Sequence, residues 1–475
     1  MASGPLAGIR VLDLTQVIAG PLGCMLLSDL GAEVIKVEPP EGEPWRLTGQ
    51  FFPDESKAYQ SLNRGKQSVV LNLARPEGQE AVHRLARTCD VVVINSRPDV
   101  AKRLGVDYET LKAQRDDIIY LDSTAFGRKG PWAHRPGYDI VAQAASGLLM
   151  HRLWLDDRGF PALSGPAAPA DFTTGYAIAL GVCAALHHRS TTGRGQLVET
   201  SLLTNALMIQ GSAFMGVPVA DAERRSSFLS DLERARAKGE PFDSFVRRRR
   251  SMSEAVIGFG IYYRGYKTKD GALTVGCLSP ATRERMRAAL GIDDPLEGSS
   301  AKSVPGEAIA AIEAMFEERT TDEWMEVFDA HAVPASPVWF VEELLENPQV
   351  LANDYVVDLE HDLTGPQRMA APPWQMSDSP PAAQGASPPL GRDTRKWLTG
   401  LGYSEAEIEA WPSPGRFDSD STAERARLPG DPVNRVTARS PLTGRAGQGS
   451  PGSELANAES RSARADRPTR LRRAR

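Results

Sequence analysis

Apolar residues recur through the first half of the chain in two alternating rhythms. Short runs rich in β-branched residues read as strands: IRVLDL at 9–14, VIKVE at 34–38, SVVLNL at 68–73, VVVIN at 91–95 and IIYLDS at 118–123. Between them GPLGCMLLSDLGA (20–32), PEGQEAVHRLARTC (76–89) and DYETLKAQ (107–114) carry the spacing of helices. Strand and helix in alternation predict an α/β fold: a doubly wound, Rossmann-like parallel sheet with helices on both faces. The glycine fingerprint of dinucleotide binding is missing, since GRGQ at 193–196 follows a helix and not a first strand, so NAD is not expected.

Further on, PALSGPAAPADFTTG (161–175) isolates one acid, Asp171, between a Pro/Ala-rich loop and a helical run, FTTGYAIALGVCAALHHR. A helix start at Asp171 has two readings. Asp is a preferred N-cap. The unpaired amides and the dipole at such a terminus also keep a carboxylate ionised, as a nucleophile requires. A charged helix is predicted from about Asp221 to Arg250, ending in VRRRR (246–250). A hairpin at 262–278 turns at Asp270-Gly271, and helices follow at 281–290 and 306–331; together these make a smaller α+β region. A return segment runs from VPASPV (333–338) to PPLGRDTRKWLTGLGYSEAEIEAW (388–411).

Composition narrows the class. With 475 residues, 41% hydrophobic content, a mean hydropathy of -0.32 and a net charge of -6, a globular protein of more than one domain is expected. No membrane span and no secretory leader are read from it, and a cytoplasmic location is the expectation. Cys24, Cys89, Cys183 and Cys277 show no paired spacing, which argues against a metal site or a disulfide framework. Residues 412–475 hold 13 Arg against 7 Asp plus Glu, and Phe417 is their one aromatic residue. Such a tail buries too little apolar surface to order itself and is expected to be disordered. Neither its Arg residues nor the 246–250 run is read as a nucleic-acid site; solvated surface is the simpler account.

Seven ordered segments resemble one family. They are PLAGIRVLDLTQVIAGPLGCMLLSDLGAEVIKVEPPEGEPWR (5–46), NRGKQSVVLNLARPEG (63–78), RPGYDIVAQAASG (135–147), ADFTTG (170–175), TGRGQLVETSLL (192–203), YKTKDG (266–271) and PPLGRDT (388–394). In this the chain is similar to the class III CoA-transferases, a family that includes formyl-CoA transferase, carnitine CoA-transferase and the α-methylacyl-CoA racemases. The resemblance implies a discontinuous CoA-binding domain of 1–215 plus 340–411, a linker and small domain at 216–339, and an interlocked homodimer. Asp171 matches the family's covalent nucleophile, which takes the acyl group as a mixed anhydride and then CoA as an aspartyl thioester. Substrates would be an acyl-CoA and a carboxylic acid, with no permanently bound cofactor.

The resemblance also assigns CoA-binding positions. Ile18 and Ala19 match residues approaching CoA in the turn after the first strand. Leu71 to Ala74 match a segment lining the nucleotide, with Ala74 where a Lys is frequent. Asn95, Ser96 and Arg97 match an Asn-Phe-Arg type turn, Ser96 standing in for the aromatic. Arg103 matches a phosphate contact, and Gly137 and Tyr138 lie beside the nucleophile. Two other readings remain. The racemase branch has a His at the place of Tyr138, and a phenol, titrating near ~10, is a poor base at neutral pH; His134 and His151 keep that reading open. A CoA-binding protein with little turnover is the other, because the family's glycine-rich lid has only VIGFG (256–260) as a counterpart here.

Overall fold

The computed structural model describes residues 4–411 apart from 152, 163–167, 255–259, 296–303 and 305. The Arg-rich tail at 412–475 and all of the VIGFG segment but Gly260 lie outside the described residues. Six parallel strands form the central sheet: β1 (Arg10–Leu14), β2 (Glu33–Glu38), β3 (Gln67–Val70), β4 (Val91–Ile94), β5 (Ile119–Thr124) and β6 (Leu197–Ser201). Their spatial order is β3-β2-β1-β4-β5-β6, the doubly wound order in which the chain reverses direction between β1 and β4.

Alternation along the strands divides the core in two. Leu12, Ile35, Val92, Ile94 and Tyr120 face α2 (Pro76–Arg87), α3 (Pro98–Arg103) and α4 (Tyr108–Lys112). Their neighbours Val11, Val34, Val91, Val93, Ile119 and Leu121 face α1 (Ala19–Asp29) and the long helix that carries Asp171. A strand buried on both faces is apolar at consecutive positions, which is why these runs read so clearly in the sequence.

Several elements differ from their sequence-based bounds. The 68–73 run leaves the sheet after Val70, because the Asn72 side chain accepts the Ala74 N–H at 3.1 Å and turns the chain. Strand β6 was not anticipated. It is an edge strand, LVETS, only half-buried and without an apolar run. Helices α5 (Asp139–Ser146) and α7 (Leu202–Met208) were also missed. The Asp171 helix, α6 (Pro169–Thr192), begins two residues before that acid. Its 24 residues have the length and apolar content of a membrane span, but here α6 packs on α1, β5 and β6.

The charged 221–250 stretch forms two helices, α8 (Pro218–Ala237) and α9 (Phe242–Glu254), broken where Gly239 takes a positive φ and Pro241 follows. The hairpin is β7 (Tyr263–Lys267) and β8 (Ala272–Gly276), and β9 (Ala335–Pro337) completes a three-stranded antiparallel sheet. Against it pack α10 (Pro280–Leu290), α11 (Gly306–Glu317) and α12 (Thr321–Ala330), with Tyr266 stacked on Phe316 at 4.0 Å. The single helix read at 306–331 divides because Thr320 and Glu323 form a capping box that starts α12. The return segment then reaches the edge of the main sheet. Asp393 accepts the Ser68 N–H at 2.9 Å, Thr394 Oγ1 accepts the Val70 N–H at 2.9 Å, and α13 (Thr394–Gly400) covers β3. An edge satisfied in this way offers no template for pairing with another chain.

One crossing positions the rest. A methyl group on Gly23 of α1 would lie 2.6 Å from Ile178 Cγ2, and one on Gly175 of α6 would lie 2.7 Å from Leu22 Cδ2. The two helices therefore touch backbone-close through glycine, one turn beyond Ala19 and one turn beyond Asp171. Gly175→Val is expected to lower unfolding stability by ~1–3 kcal/mol through overpacking. Urea denaturation measures this, and an unchanged midpoint would contradict the close crossing.

Candidate active site

In an open α/β sheet the point where strand order reverses leaves a crevice at the carboxyl ends of the two strands involved. Here those strands are β1 and β4, and their exit loops are joined by one side chain. Asn95 Oδ1 accepts the Gln16 N–H at 3.0 Å while Asn95 Nδ2 donates to the Gln16 carbonyl at 2.8 Å. The next residue, Val17, sits at φ 73°, a conformation that a β-branched side chain adopts only under constraint. The constraint is Glu43, which accepts the Val17 N–H through Oε2 at 2.8 Å.

Buried charges hold the same loop from beneath. Lys36 donates to the Thr15 carbonyl at 2.8 Å and lies 3.4 Å from Glu43. Lys66 donates to Asp13 at 2.9 Å and to the Pro21 carbonyl, in the first turn of α1, at 2.9 Å. Burial pushes the Asp13 carboxyl up, but Lys36 and Lys66 outweigh it and hold it down at about 2.

Two chambers open along this edge. The first, about 250 Å³, has Ala19, Arg97, Gly137, Tyr138 and Asp171 in its walls. The second, about 370 Å³, is walled by Leu71, Asn72, Ala74 and the 38–43 loop. Gln16, Asn95, Ser96 and Val100 line both, so the chambers adjoin across the β1–β4 reversal and suit an elongated ligand.

Asp171 is buried, at 7% exposure, and it is not the cap of its helix. Ala168 occupies the N-cap position, and the capping oxygen comes from another element. Asp139 Oδ1, at the start of α5, accepts the Ala170 N–H at 2.8 Å and the Asp171 N–H at 3.0 Å. Asp171 faces instead the start of α1, where the Ala19 N–H is its hydrogen-bond donor. That settles the choice left open by the sequence against capping. It also corrects the expectation of a carboxylate kept fully ionised: burial, then the neighbouring Asp139 charge, push Asp171 up to about 7 against the single Ala19 donor.

The other sequence-derived positions divide into two groups. Ala19, Asn95, Ser96, Arg97, Gly137 and Tyr138 gather around the Asp171 chamber, and Leu71 and Ala74 line the second. Ile18 is the N-cap residue of α1 beside them. Arg103 ends α3 as an exposed residue outside both chambers. His134 and His151 are exposed and line neither. Sequence reasoning passed over Asp139, Gln16, Val17 and Glu43. Asp139 had one signal, an acid directly after Gly137-Tyr138 and before the apolar spacing of Ile140, Val141 and Ala142; the others act through backbone hydrogen bonds that no residue pattern reveals.

Comparison with known proteins identifies the family. The model of CoA-transferase family III matches residues 6–394. Human succinyl-CoA:glutarate CoA-transferase is 31% identical over 427 residues, covering 88% of this chain and 91% of the relative. Acetyl-CoA:oxalate CoA-transferase of Acetobacter aceti is 31% identical over 361 residues, covering 74% and 86%. Among solved structures, a CaiB/BaiF family protein from Brucella suis has a TM-score of 0.64 at 27% identity, covering 84% of this chain and all of that one.

A carboxyl whose pKa is raised on folding stabilises the native state while protonated, and that contribution is lost as pH rises through its folded value. Asp171→Asn is therefore expected to stabilise the protein at pH 8 by ~1 kcal/mol or more and to have little effect near pH 4. Thermal melts at the two pH values measure the difference; equal shifts at both would contradict the burial argument.

Proposed function

The chain belongs to CoA-transferase family III and moves CoA from an acyl-CoA to a carboxylic acid; we propose that it does so through covalent intermediates on Asp171. The observation that carries this reading is a buried carboxyl group, released from capping by Asp139, at one end of a groove that runs along the sheet edge. An Asp171 oxygen attacks the thioester carbon, the C–S bond breaks, and a mixed anhydride forms as CoA leaves as thiolate. The thiolate then attacks the Asp171 carbonyl carbon, releasing the donor acid and leaving an aspartyl-CoA thioester. The acceptor carboxylate reverses both steps. Each step exchanges one leaving group for another of the same charge, so no redox change accompanies transfer.

Groove and loop supply the rest. The second chamber, with Leu71 and Ala74 in its wall, takes the nucleotide end of CoA, and the shared Gln16–Asn95 wall guides the pantetheine arm toward Asp171. The Ala19 N–H, at the positive end of α1, stays beside the oxygen that carries charge in the attacking carboxylate. With Asp171 titrating at about 7, the ionised and reactive fraction grows as pH rises through neutrality.

A homodimer of interlocked chains is part of the same proposal. Leu180 of α6 is 72% exposed and Phe340 76%, and Val341 and Met208 are likewise bare, so apolar surface is available to a second copy. Sedimentation is expected to give a dimer that persists on dilution; an active monomer would contradict the arrangement.

Asp171→Ala is expected to cut CoA transfer by ~10³-fold or more while leaving the fold intact, since it removes the attacking atom. Incubating the wild type with acyl-CoA and quenching with hydroxylamine should mark Asp171 as its hydroxamate, located by peptide mass. Turnover above a few per cent in the variant, or a mark elsewhere, would overturn the reading.

A further inference from the structure

Asp139 stands one residue after Tyr138, and its side chain serves a helix other than its own. Its Oδ1 takes the two leading amides of α6 that need an acceptor, Ala170 at 2.8 Å and Asp171 at 3.0 Å. Gln143, one turn along α5, donates to the other oxygen through Nε2. Asp139 is 8% exposed and Asp171 7%, so two carboxyl groups share one buried site. The charged and titratable groups facing them are few. Tyr138 stands on the cleft wall, and Arg97 comes from the β4 exit with Asp99 as its own partner at 3.3 Å. The first turn of α1 presents no acid, and α7 presents Leu202.

We propose that Asp139 is a positioning residue for transfer: its carboxylate fills the α6 cap that Asp171 would otherwise fill, and its negative charge lies beside the charge that leaves Asp171 on acylation. The inference rests on Asp171 as the attacking group. When an Asp171 oxygen bonds to the acyl carbon, the electron pair of the breaking C–S bond departs on sulfur. One negative charge thereby moves from the Asp139 neighbourhood to the thiolate, and the repulsion between two buried carboxylates is relieved. Before that step the same repulsion makes Asp171 more basic, hence a stronger nucleophile once ionised.

Asp139→Asn separates charge from geometry. Its Oδ1 keeps both amide bonds, and Gln143, whose Oε1 is buried without a hydrogen-bond partner, can turn its amide over to accept from the new Nδ2. In the wild type kcat/KM is expected to climb with pH through about 7. In Asp139→Asn that limb is expected to move to lower pH by about one unit or more, with the plateau kcat lowered by roughly tenfold and KM for acyl-CoA changed by less than about threefold. A limb that stays in place within ~0.2 unit overturns the proposal. Should Asp139→Asn fail to fold, Asp139→Ser removes the charge and leaves space for a water to carry the cap to the Ala170 and Asp171 amides, and the same limb is read. Hydroxylamine marking of Asp171 is followed in parallel. Loss of the mark in the wild type overturns the covalent reading itself, whereas a marked enzyme with an unmoved limb overturns the role of Asp139 alone.

Discussion

Everything in the site hangs on the exit of β1. The chain must leave the sheet at Leu14, turn across the carboxyl edge and enter α1 at Ala19, and the turn includes a strained Val17. It is fixed by side chains from three other places: Asn95 from the β4 exit, Glu43 from the loop after β2, and Lys36 and Lys66 from beneath. The lysines and Asp13 are fully buried, and an apolar replacement of the set would stabilise as well or better in many proteins. Here the charges aim hydrogen bonds at particular carbonyls, which an apolar core does not do. The turn they hold forms the wall between the two chambers and points the Ala19 N–H at Asp171.

Two helix starts then meet head to head. The glycine contact of Gly23 with α6 and Gly175 with α1 sets their spacing, and acids from neighbouring elements serve both sets of amides. Asp139 serves α6, and Asp171 serves α1. An acid that caps its own helix spends its lone pairs on its own amides. An acid three residues past the N-cap, with the cap supplied from outside, keeps an oxygen free of its own helix. The cost is a carboxyl that is buried beside another, and it appears as the upward push on Asp171.

Much of the fold was legible because β1 to β5 each carry consecutive apolar residues, interrupted only by single buried polar ones such as Asp13, Lys36 and Asp122, and α2 carries an apolar stripe. The edge strand β6 was not, since Leu197–Ser201 is half-exposed and alternates too weakly to separate from a loop. Long helical patterns were read across Gly239 and across Thr320, where a cap or a left-handed residue ends one helix and the next begins at once. In the site, Asp171 and Ala19 were legible within the family-like segments, Asn95 and Ser96 from the turn that the resemblance matched, and all four gather in one cleft. The cap on α6 was not, because it is made between Asp139 and Ala170, 31 residues apart, and spacing on that scale carries no pattern. Arg103 matched a motif; its side chain is exposed and is in neither chamber wall, while its neighbours Val100 and Leu104 line the second.

The central claim is that the oxygen atoms of Asp171 take part in the bond changes. If they do, an acceptor acid carrying heavy oxygen in both carboxyl positions must leave one of them in the enzyme, because the anhydride bridge oxygen stays with Asp171 when CoA departs with the acyl group. Several turnovers with an ¹⁸O-labelled acceptor, followed by digestion and mass measurement, should raise the mass of the peptide that holds Asp171 by about 2 Da, and by about 4 Da once both oxygens have exchanged. Full turnover with no label in that peptide would mean that donor and acceptor react without passing through Asp171, and would contradict the account.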